Sequence, residues 1–137
     1  MMADRVIEEL DEDQCLKLIS EGGIGRIAYV GRFGPAVLPV NYELLDGAVV
    51  FRTAANGPLD EDLRTGIEGA DYKVAFEIDS IDLATRRGWS VLIQGPAHHL
   101  AGDERGSIRV EPWAPGDREM FVRIVPSRIT GRRVGHA

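Results

Sequence analysis

The chain has 137 residues, of which 44% are hydrophobic and 28% charged, and its formal net charge is -6 at pH 7. This length suits one domain with an apolar core, and the composition indicates neither a disordered nor a membrane-embedded class. The acidic balance argues against nucleic acid as the main partner. No apolar run reaches the about eighteen residues of a spanning helix, and the acidic amino terminus is unlike a signal peptide. We therefore expect a single cytoplasmic domain over residues 1–137.

Charge is distributed unevenly along the chain. Acidic residues crowd the start, at Asp4, Glu8, Glu9, Asp11, Glu12 and Asp13, and arginines crowd the end, at Arg118, Arg123, Arg128, Arg132 and Arg133. The basic end can serve an anionic ligand, pair with the acidic start, or form an ordinary solvated face. The single cysteine, Cys15, excludes an internal disulfide and a thiolate metal site, and we expect it to be a small, partly buried hydrophobe.

The first predicted elements are a short helix and a strand. Asp11 is an N-cap residue with Gln14 three positions later, and the helical spacing of apolar residues stops at Gly22-Gly23. These glycines look like a dinucleotide-binding loop, but such a loop follows a strand and opens a helix. Here the glycines follow a helix and open the strand Ile24–Val30, so the order argues against a Rossmann fold.

A β-hairpin follows this strand. Pro35–Leu45 and Ala48–Thr53 are apolar, β-branched runs, and Asp46-Gly47 between them is a strong signal for a two-residue hairpin turn. Together with Ile24–Val30, these runs predict three consecutive antiparallel strands.

The second strand of the hairpin ends in residues suited to an anion. Arg52 and Thr53 directly follow the buried-looking run Val49–Phe51 and precede a loop of small residues, Ala54–Gly57. A guanidinium, a hydroxyl and accessible backbone N–H groups together suit a phosphate. The alternative partner for Arg52 is the acidic helix start at Asp60–Asp62, which offers a salt bridge.

The second half of the chain predicts one more helix and three more strands. Pro58 fits a first helical turn, and Leu59, Leu63 and Ile67 recur every four residues, which predicts a helix over Pro58–Glu68. Strands are expected at Tyr72–Ile78, Trp89–Leu100 and Glu119–Val125, with a polar connection at Asp79–Gly88, a bend at Gly95-Pro96, a loop at Gly102–Gly116 and an arginine-rich tail after Pro126. Six antiparallel strands with short helices indicate a small barrel, with a β-sandwich as the alternative.

Few side chains are candidates for catalysis. The histidines His98, His99 and His136 stand in no nucleophile motif, and the first two point to opposite faces of one strand, so they cannot hold one ion from the same side. Either of them is a haem or metal ligand or an ordinary strand-end histidine. Carboxylates cluster at helix starts, where capping explains them, so we assign no catalytic side chain. Trp89 and Trp113 are each expected either to flank a planar ligand or to belong to the core or to an interface.

Several short motifs stand in an order that resembles a known family. They are Gly25–Ala28, Pro39–Tyr42, Asp46-Gly47, Phe51–Thr53, Phe76–Asp79, Gly88–Val91 with Gly95, and Ile124–Pro126 leading to Thr130–Arg133. In this order they resemble the pyridoxamine 5'-phosphate oxidase-like family of FMN-binding split barrels, which includes flavin and deazaflavin F420 proteins. The resemblance runs from Asp11 to Arg133 and implies a mainly β fold, a six-stranded antiparallel split barrel of Greek-key type with short flanking helices.

The resemblance also implies a homodimer with two flavins at its interface. The backbone of Pro39, Val40, Asn41 and Tyr42 would lie along the isoalloxazine ring. Arg52 and Thr53, with the loop at Asn56 and Gly57, would hold the phosphate. Trp89 and Ser90 would lie near the ring or the ribityl chain, and Trp113 and Arg132 would reach the partner's site.

The chain departs from the family's pattern at Pro58, where relatives commonly carry a lysine. Losing a charge-assisted contact to a phosphate removes about 1.5–3 kcal/mol, which corresponds to about one to two decades of affinity. The acidic run Asp60–Asp62 would further repel a dianion. The cofactor expected from the sequence is therefore weakly bound FMN, with F420 or no retained cofactor as alternatives.

Three functions remain open from the sequence. The first is an FMN-dependent oxidoreductase acting on an unidentified small molecule, in which the flavin performs the transfer and no side chain need be catalytic. The second is an F420-dependent reductase, whose polyglutamate-bearing cofactor would meet the arginine-rich end. The third is a non-enzymatic flavin carrier or sequestering protein with weakened phosphate binding.

Overall fold

A computed structural model describes residues 5–54, 59, 63, 72–100 and 120–136 of the chain. Its elements, in chain order, are β1 (Arg5–Leu10), α1 (Glu12–Ile19), β2 (Gly23–Gly31), β3 (Gly34–Leu45), β4 (Ala48–Thr53), β5 (Tyr72–Asp82), β6 (Arg87–His99), β7 (Met120–Ile124) and β8 (Arg128–His136).

Six of the strands close into an antiparallel barrel. They are hydrogen-bonded in the order β6-β5-β2-β3-β4-β7, and the pairing of β7 with β6 closes the ring. The consecutive strands β2, β3 and β4 form a meander, and β5 then returns to lie beside β2, which is a Greek-key connection. The six predicted strands correspond to β2–β7, so the predicted six-stranded Greek-key barrel is confirmed and the sandwich alternative is wrong.

Alternation along the strands separates an apolar core from an outer face. Inward residues are large and buried, and Phe76 of β5 packs edge-on against the Tyr42 ring and stacks on the Phe51 ring at centroid distances of 5.5 and 6.2 Å. At the turn between β3 and β4, Asp46 and Gly47 have φ values of 50° and 78°. Positive φ at both central residues is the geometry predicted for the Asp-Gly hairpin.

Two strands were missed by the sequence analysis. β1 and β8 pair with each other outside the barrel, and β8 also pairs with β6. Their registers place the acidic start beside the arginine-rich end, with Glu8 opposite Arg133 and Glu9 opposite Arg132. Arg133 Nη1 lies 3.8 Å from Glu8 Oε2. The basic end therefore pairs in part with the chain's own acidic start, and the arginine-rich tail is a strand.

The barrel is split where β7 passes into β8. Along one edge of β6, residues 88–94 pair with β8 and residues 97–99 pair with β7. Between them the Val125 N–H donates to the Pro96 carbonyl at 3.1 Å and the Ser127 N–H donates to the Gln94 carbonyl at 2.8 Å. A Cβ at Gly95 would lie 2.0 Å from the Val125 carbonyl oxygen, so only glycine allows this approach. The predicted bend at Gly95-Pro96 is this crossing point.

Helix α1 has the predicted cap and packs under β8. Asp11 and Gln14 form a reciprocal capping box, with side-chain to backbone distances of 2.8 and 2.9 Å. Cys15 and Ile19 are buried, and a Cβ at Gly131 of β8 would lie 2.5 Å from the Cys15 Sγ. Burial raises the pKa of the Cys15 thiol, and the nearby Asp11 and Glu12 raise it further. Cys15 is thus a fully buried packing group.

The predicted polar connection at Asp79–Gly88 was wrong, because β5 continues to Asp82 and β6 begins at Arg87, leaving a turn at residues 83–86. Polar residues remain in strand here because cross-strand pairing continues after one face becomes solvent-exposed.

For the predicted helix Pro58–Glu68, the structure describes buried Leu59 and Leu63, and the Leu63 N–H donates to the Leu59 carbonyl at 3.1 Å. The rest of that segment and the loop Gly102–Gly116 lie outside the described residues.

Candidate functional site

Arg52 and Thr53 lie at the end of β4, where each has a defined environment. Arg52 is half-buried, and its guanidinium carbon lies 5.1 Å from the centre of the Phe121 ring on the paired strand β7. Such a contact is worth about 0.5–1 kcal/mol at exposed sites and helps to fix the guanidinium over the sheet. Thr53 is buried, with 6% of its surface exposed. Because neighbouring residues of a strand point to opposite faces, the Arg52 guanidinium and the buried Thr53 hydroxyl lie on opposite sides of β4. The proposed salt-bridge partners Asp60–Asp62 lie outside the described residues.

The four predicted ring contacts on β3 alternate between the two faces. Tyr42 faces the core, and its hydroxyl donates to the Ile19 carbonyl at 2.9 Å. Burial raises the pKa of Tyr42 to about 12, so its phenol is a neutral core group at physiological pH. Pro39 and Asn41 face outward, while Val40 packs against the core. Because Tyr42 pairs with Phe51, Asn41 lies beside Arg52 on the outer face.

A second group of predicted site residues lies on β6 and β8. Ser90 faces outward and is paired with Arg132 of β8 on one side and with Asp79 of β5 on the other. Trp89 points the opposite way and packs partly buried against the core. It also lines a hollow of about 420 Å³ with Arg87 and Arg133. A ligand on the outer face would therefore meet Ser90 and Arg132 without touching the Trp89 ring.

The two groups are separated within one chain. Between Asn41 on β3 and Ser90 on β6 lie the strands β2 and β5, so the groups are three strand spacings apart, or about 14 Å along the sheet. Asn56, Gly57 and Trp113 lie outside the described residues. The structure thus brings together Pro39, Asn41 and Arg52 on the outer face, and separately Ser90 and Arg132, whereas Thr53 faces the core side of β4. The assignment of all of them to a cofactor stays a prediction.

An apolar groove with a floor of small side chains crosses the outer face of the barrel. This alanine groove, of about 520 Å³, is floored by Ala28 of β2 and Ala75 of β5 and bounded by Val37, Lys73 and Gln94. Small residues let a ligand approach the backbone closely, and a flat apolar floor suits a planar ring. Ala28 stands out in the sequence only as part of a motif, because an alanine has no functional group to mark it as a site residue.

A second groove lies one step along the same face. This arginine groove, of about 560 Å³, is lined by Arg128, Thr130 and Arg132 of β8, Ser90 of β6 and Glu77 of β5, together with neighbouring residues of these strands and of β1. Arg128, Thr130 and Arg132 alternate along β8 and so share one face. Within the described part of the chain, no ion pair engages Arg128 or Arg132.

A pair of carboxylates borders the arginine groove. Nη1 of Arg26 on β2 lies 3.5 Å from Glu77 Oε1 and 3.5 Å from Asp79 Oδ2, so one guanidinium nitrogen serves both acids. Glu77 Oε1 is closed off from solvent and lacks a well-formed hydrogen bond. Burial raises the pKa of Glu77 to about 7. The hydrogen bond to Asp79 and the negative charge of Asp79 raise this pKa further, while Arg26 lowers it. Near neutral pH Glu77 is therefore poised between its two protonation states.

This carboxylate pair was not predicted from the sequence, although Phe76–Asp79 is one of the motifs of the resemblance. Alternation alone places Glu77 and Asp79 on one face of β5 and Arg26 on the outer face of β2. What it could not give is the register Arg26↔Glu77, which brings the three charges together across two strands. That register depends on long-range pairing of β2 with β5.

No metal centre emerges from the described residues, among which no three His, Cys, Asp or Glu side chains are grouped to hold an ion. His98 is paired with Arg123 and His99 with Val122, so these neighbours face opposite sides of β6, as predicted. None of the helices in the described part of the chain is long and apolar enough to cross a membrane.

Comparison with known proteins places these features in a family. A family model described as pyridoxamine 5'-phosphate oxidase matches residues 11–133. An uncharacterized protein of Mycobacterium tuberculosis is 32% identical over 133 residues, covering 95% of this chain and 87% of that protein.

Solved structures agree with the sequence relatives. The FAD-binding protein of Mycobacterium smegmatis is 26% identical, with a TM-score of 0.70 and coverage of 93% of this chain and 98% of that one. A conserved protein of unknown function from Corynebacterium diphtheriae is 27% identical, with a TM-score of 0.69 and coverage of 96% and 98%. The similarity therefore extends over nearly the whole of each chain.

Proposed function

Because the chain belongs to the pyridoxamine 5'-phosphate oxidase family, we propose that it is a flavin-dependent oxidoreductase acting on a small molecule, with FMN as its cofactor. The observation that carries the proposal is the family match over residues 11–133, which includes every barrel strand. The 26% identical protein that binds FAD supports a flavin of some kind. A bound flavin supplies hydride or electron transfer, and the protein supplies binding, orientation and exclusion of water.

The residues of the outer face fit such a cofactor. FMN and FAD share a planar ring and a ribityl phosphate, so one set of contacts serves both. Of the two predicted phosphate contacts, Arg52 would hold the phosphate, because a guanidinium held over Phe121 offers charge-assisted hydrogen bonds, whereas the buried Thr53 side chain points to the opposite face. The backbone of Pro39–Tyr42 and the apolar alanine groove would lie against the ring.

A homodimer with the cofactor at its interface is part of the proposal. The support is an apolar surface around the turn between β2 and β3, where Val30, Phe33 and Val37 are 59%, 97% and 61% exposed. Exposed apolar residues grouped in this way mark interaction sites. A partner subunit on this face would also bring its own Ser90 and Arg132 toward the distant Arg52 group.

Pro58 sets the expected strength of binding. Without a lysine at this position, FMN loses one charged phosphate contact, so replacing Pro58 by Lys should tighten FMN binding by about one to two decades if that position faces the phosphate. No change would mean that the loop no longer contacts the cofactor.

The experiment is to identify the chromophore of the purified protein. We expect flavin bands in the visible spectrum, release of FMN on denaturation as judged by mass spectrometry, and binding in titrations of the flavin-free protein with FMN, FAD and F420. Release of FAD would mean that the protein is a flavoprotein whose cofactor is FAD and not FMN. Absence of flavin bands together with no FMN or FAD binding at micromolar concentrations would refute the proposal.

The F420-dependent alternative has one observation in its favour, the arginine groove. Arg128 and Arg132 there could meet the polyglutamate chain of F420, and such contacts weaken steeply with salt. A markedly salt-sensitive preference for F420 over FMN would establish it.

The carrier alternative is distinguished from either enzyme by turnover. Bound flavin that is neither reduced by nicotinamide nucleotides nor reoxidised by an acceptor at a measurable rate favours a carrier.

A further inference from the structure

The arginine groove has the donors of an oxyanion site. Arg128 and Arg132 lie four residues apart on one face of β8, with Thr130 between them and Ser90 opposite on β6. Two guanidinium groups and two hydroxyls can surround a tetrahedral oxyanion with charge-assisted hydrogen bonds. The volume of about 560 Å³ is ample for such a group attached to a larger molecule.

Two carboxylates that line the groove, Glu77 and Glu9, oppose an anion, and of these Glu77 is the one whose pKa is raised. The charged and polar groups around Glu77 come from five strands: Asp79 on β5, Arg26 on β2, Ser90 on β6, Arg128, Thr130 and Arg132 on β8, and Glu9 on β1. Arg26 is already shared between Glu77 and Asp79. An anion entering beside ionised Glu77 would therefore meet a negative charge that Arg26 only half neutralises.

Protonation of Glu77 removes this conflict. A neutral Glu77 no longer repels the anion, and its carboxyl O–H becomes a donor, whereas an ionised carboxylate only accepts. The closed-off Oε1 shows that part of the carboxyl is already out of water, so gaining a proton costs little solvation. Its pKa of about 7 puts this change within the physiological range.

We propose that the arginine groove binds the oxyanion group of a ligand between Arg128 and Arg132, and that binding is coupled to uptake of a proton from solvent by Glu77. This coupling goes beyond the proposed function and requires no bound flavin. Occupancy of the groove therefore rises as pH falls.

Sulfate is the probe of choice, because it is a tetrahedral dianion that does not itself titrate between pH 6 and 8. Flavin-free, full-length protein is titrated with sulfate by calorimetry at pH 6, 7 and 8, at constant ionic strength set with chloride, in two buffers of different ionisation enthalpy. If only protein with neutral Glu77 binds, the apparent Kd rises about tenfold from pH 6 to pH 8. The buffer dependence at pH 7 then reports uptake of about half a proton per sulfate.

Three variants assign the effect to residues. Glu77→Gln should bind sulfate with a Kd that is the same at pH 6 and pH 8, and with no proton uptake. Arg128→Gln and Arg132→Gln should each weaken binding about tenfold. Arg123→Gln makes the same change in net charge on an exposed residue of β7 outside the groove and should leave the Kd unchanged.

The same measurements can overturn the inference. No saturable sulfate binding, or a Kd that does not change with pH in the wild-type chain, excludes it. An equal loss in Arg123→Gln means that net charge and not a site is responsible, and pH dependence retained in Glu77→Gln excludes Glu77. Circular dichroism checks that each variant folds, and the two groove arginines provide independent tests if one variant does not.

Discussion

Arg52 is the residue on which the proposed flavin site most depends, because it is the only described cation at the end of the β3–β4 hairpin and its guanidinium is held over Phe121. Arg52→Gln removes the charge and leaves a shorter, neutral polar side chain. Loss of one charge-assisted phosphate contact costs about 1.5–3 kcal/mol, so the Kd for FMN should rise by about ten- to a hundredfold.

Fluorescence titration of the flavin-free variant measures this effect, with Arg123→Gln as a control of equal charge change on the neighbouring strand β7. An FMN affinity that is the same in Arg52→Gln and in the wild-type chain would place the phosphate elsewhere.

Glu77 should give the fold a stability that depends on pH. Its pKa is raised from the ordinary 4.5 to about 7 in the folded chain, so between these values the native state holds more proton than the unfolded state. Stability therefore falls as pH rises, with the loss spread over the window from about pH 5 to pH 8. Because the Glu77 side chain is 37% exposed, solvent screening reduces the effect well below the full shift, to about 1 kcal/mol.

Urea denaturation at pH 5, 6, 7 and 8 tests this prediction. Glu77→Gln should lose the decline seen in the wild-type chain, while Glu21→Gln, an exposed substitution near the end of α1, should retain it. Parallel stability curves for the wild-type chain and Glu77→Gln would show that the raised pKa has no consequence for folding.

At the residue scale, the sequence predicted positions better than interactions. Arg52 follows a buried run directly, so its half-buried place at a strand end could be read from its neighbours. The sharing of Arg26 by Glu77 and Asp79 could not, because it needs the register of β2 against β5. Cross-strand contacts between residues about fifty positions apart leave no local pattern.

At the scale of elements, the six barrel strands were predictable because each has an apolar face that packs into one core. β1 and β8 were not, because they pair outside the barrel and carry charges on exposed faces. Residues 5–10 read as an acidic run and residues 128–136 as a basic tail, yet each supplies the other's hydrogen bonds. Backbone pairing, which is blind to side-chain type, decides such strands.

The crossing of β6 by the β7–β8 segment makes a prediction at this scale. Gly95→Ala would place a methyl group 2.0 Å from the Val125 carbonyl oxygen, so the segment between β7 and β8 must move. Overpacking of this kind costs about 1–3 kcal/mol. The matched control is Gly135→Ala on β8, where an added methyl group would meet nothing within 4 Å.

The free energy of unfolding in urea should fall for Gly95→Ala and change little for Gly135→Ala. Equal effects in the two variants would mean that the close approach does not hold the split of the barrel in place.

At the scale of the whole molecule, the inner face of the barrel forms the core and the outer face carries the two grooves. The inner face is filled by aromatic and aliphatic side chains, including the neutral Tyr42. The outer face of β5 carries Ala75 in the alanine groove and Glu77 in the arginine groove, two residues apart and so about 7 Å along the strand. A single ligand could therefore place a ring in the alanine groove and an anionic group in the arginine groove. This would link the proposed cofactor site to the proton-coupled anion site.

The proposed dimer provides the last prediction. Val37 is 61% exposed and borders the alanine groove, so a second subunit that covers the turn between β2 and β3 would bury it. Val37→Glu places a charge in that contact, where an unpaired charge is costly, and should convert the dimer into a monomer and abolish flavin binding together. Light scattering coupled to gel filtration gives the mass, and flavin fluorescence gives the binding. Leu83→Glu makes the same kind of substitution at an 87% exposed residue of the turn between β5 and β6 and should change neither. A Val37→Glu protein that stays dimeric but loses flavin would put the cofactor in the groove of a single chain and the subunit contact on another face.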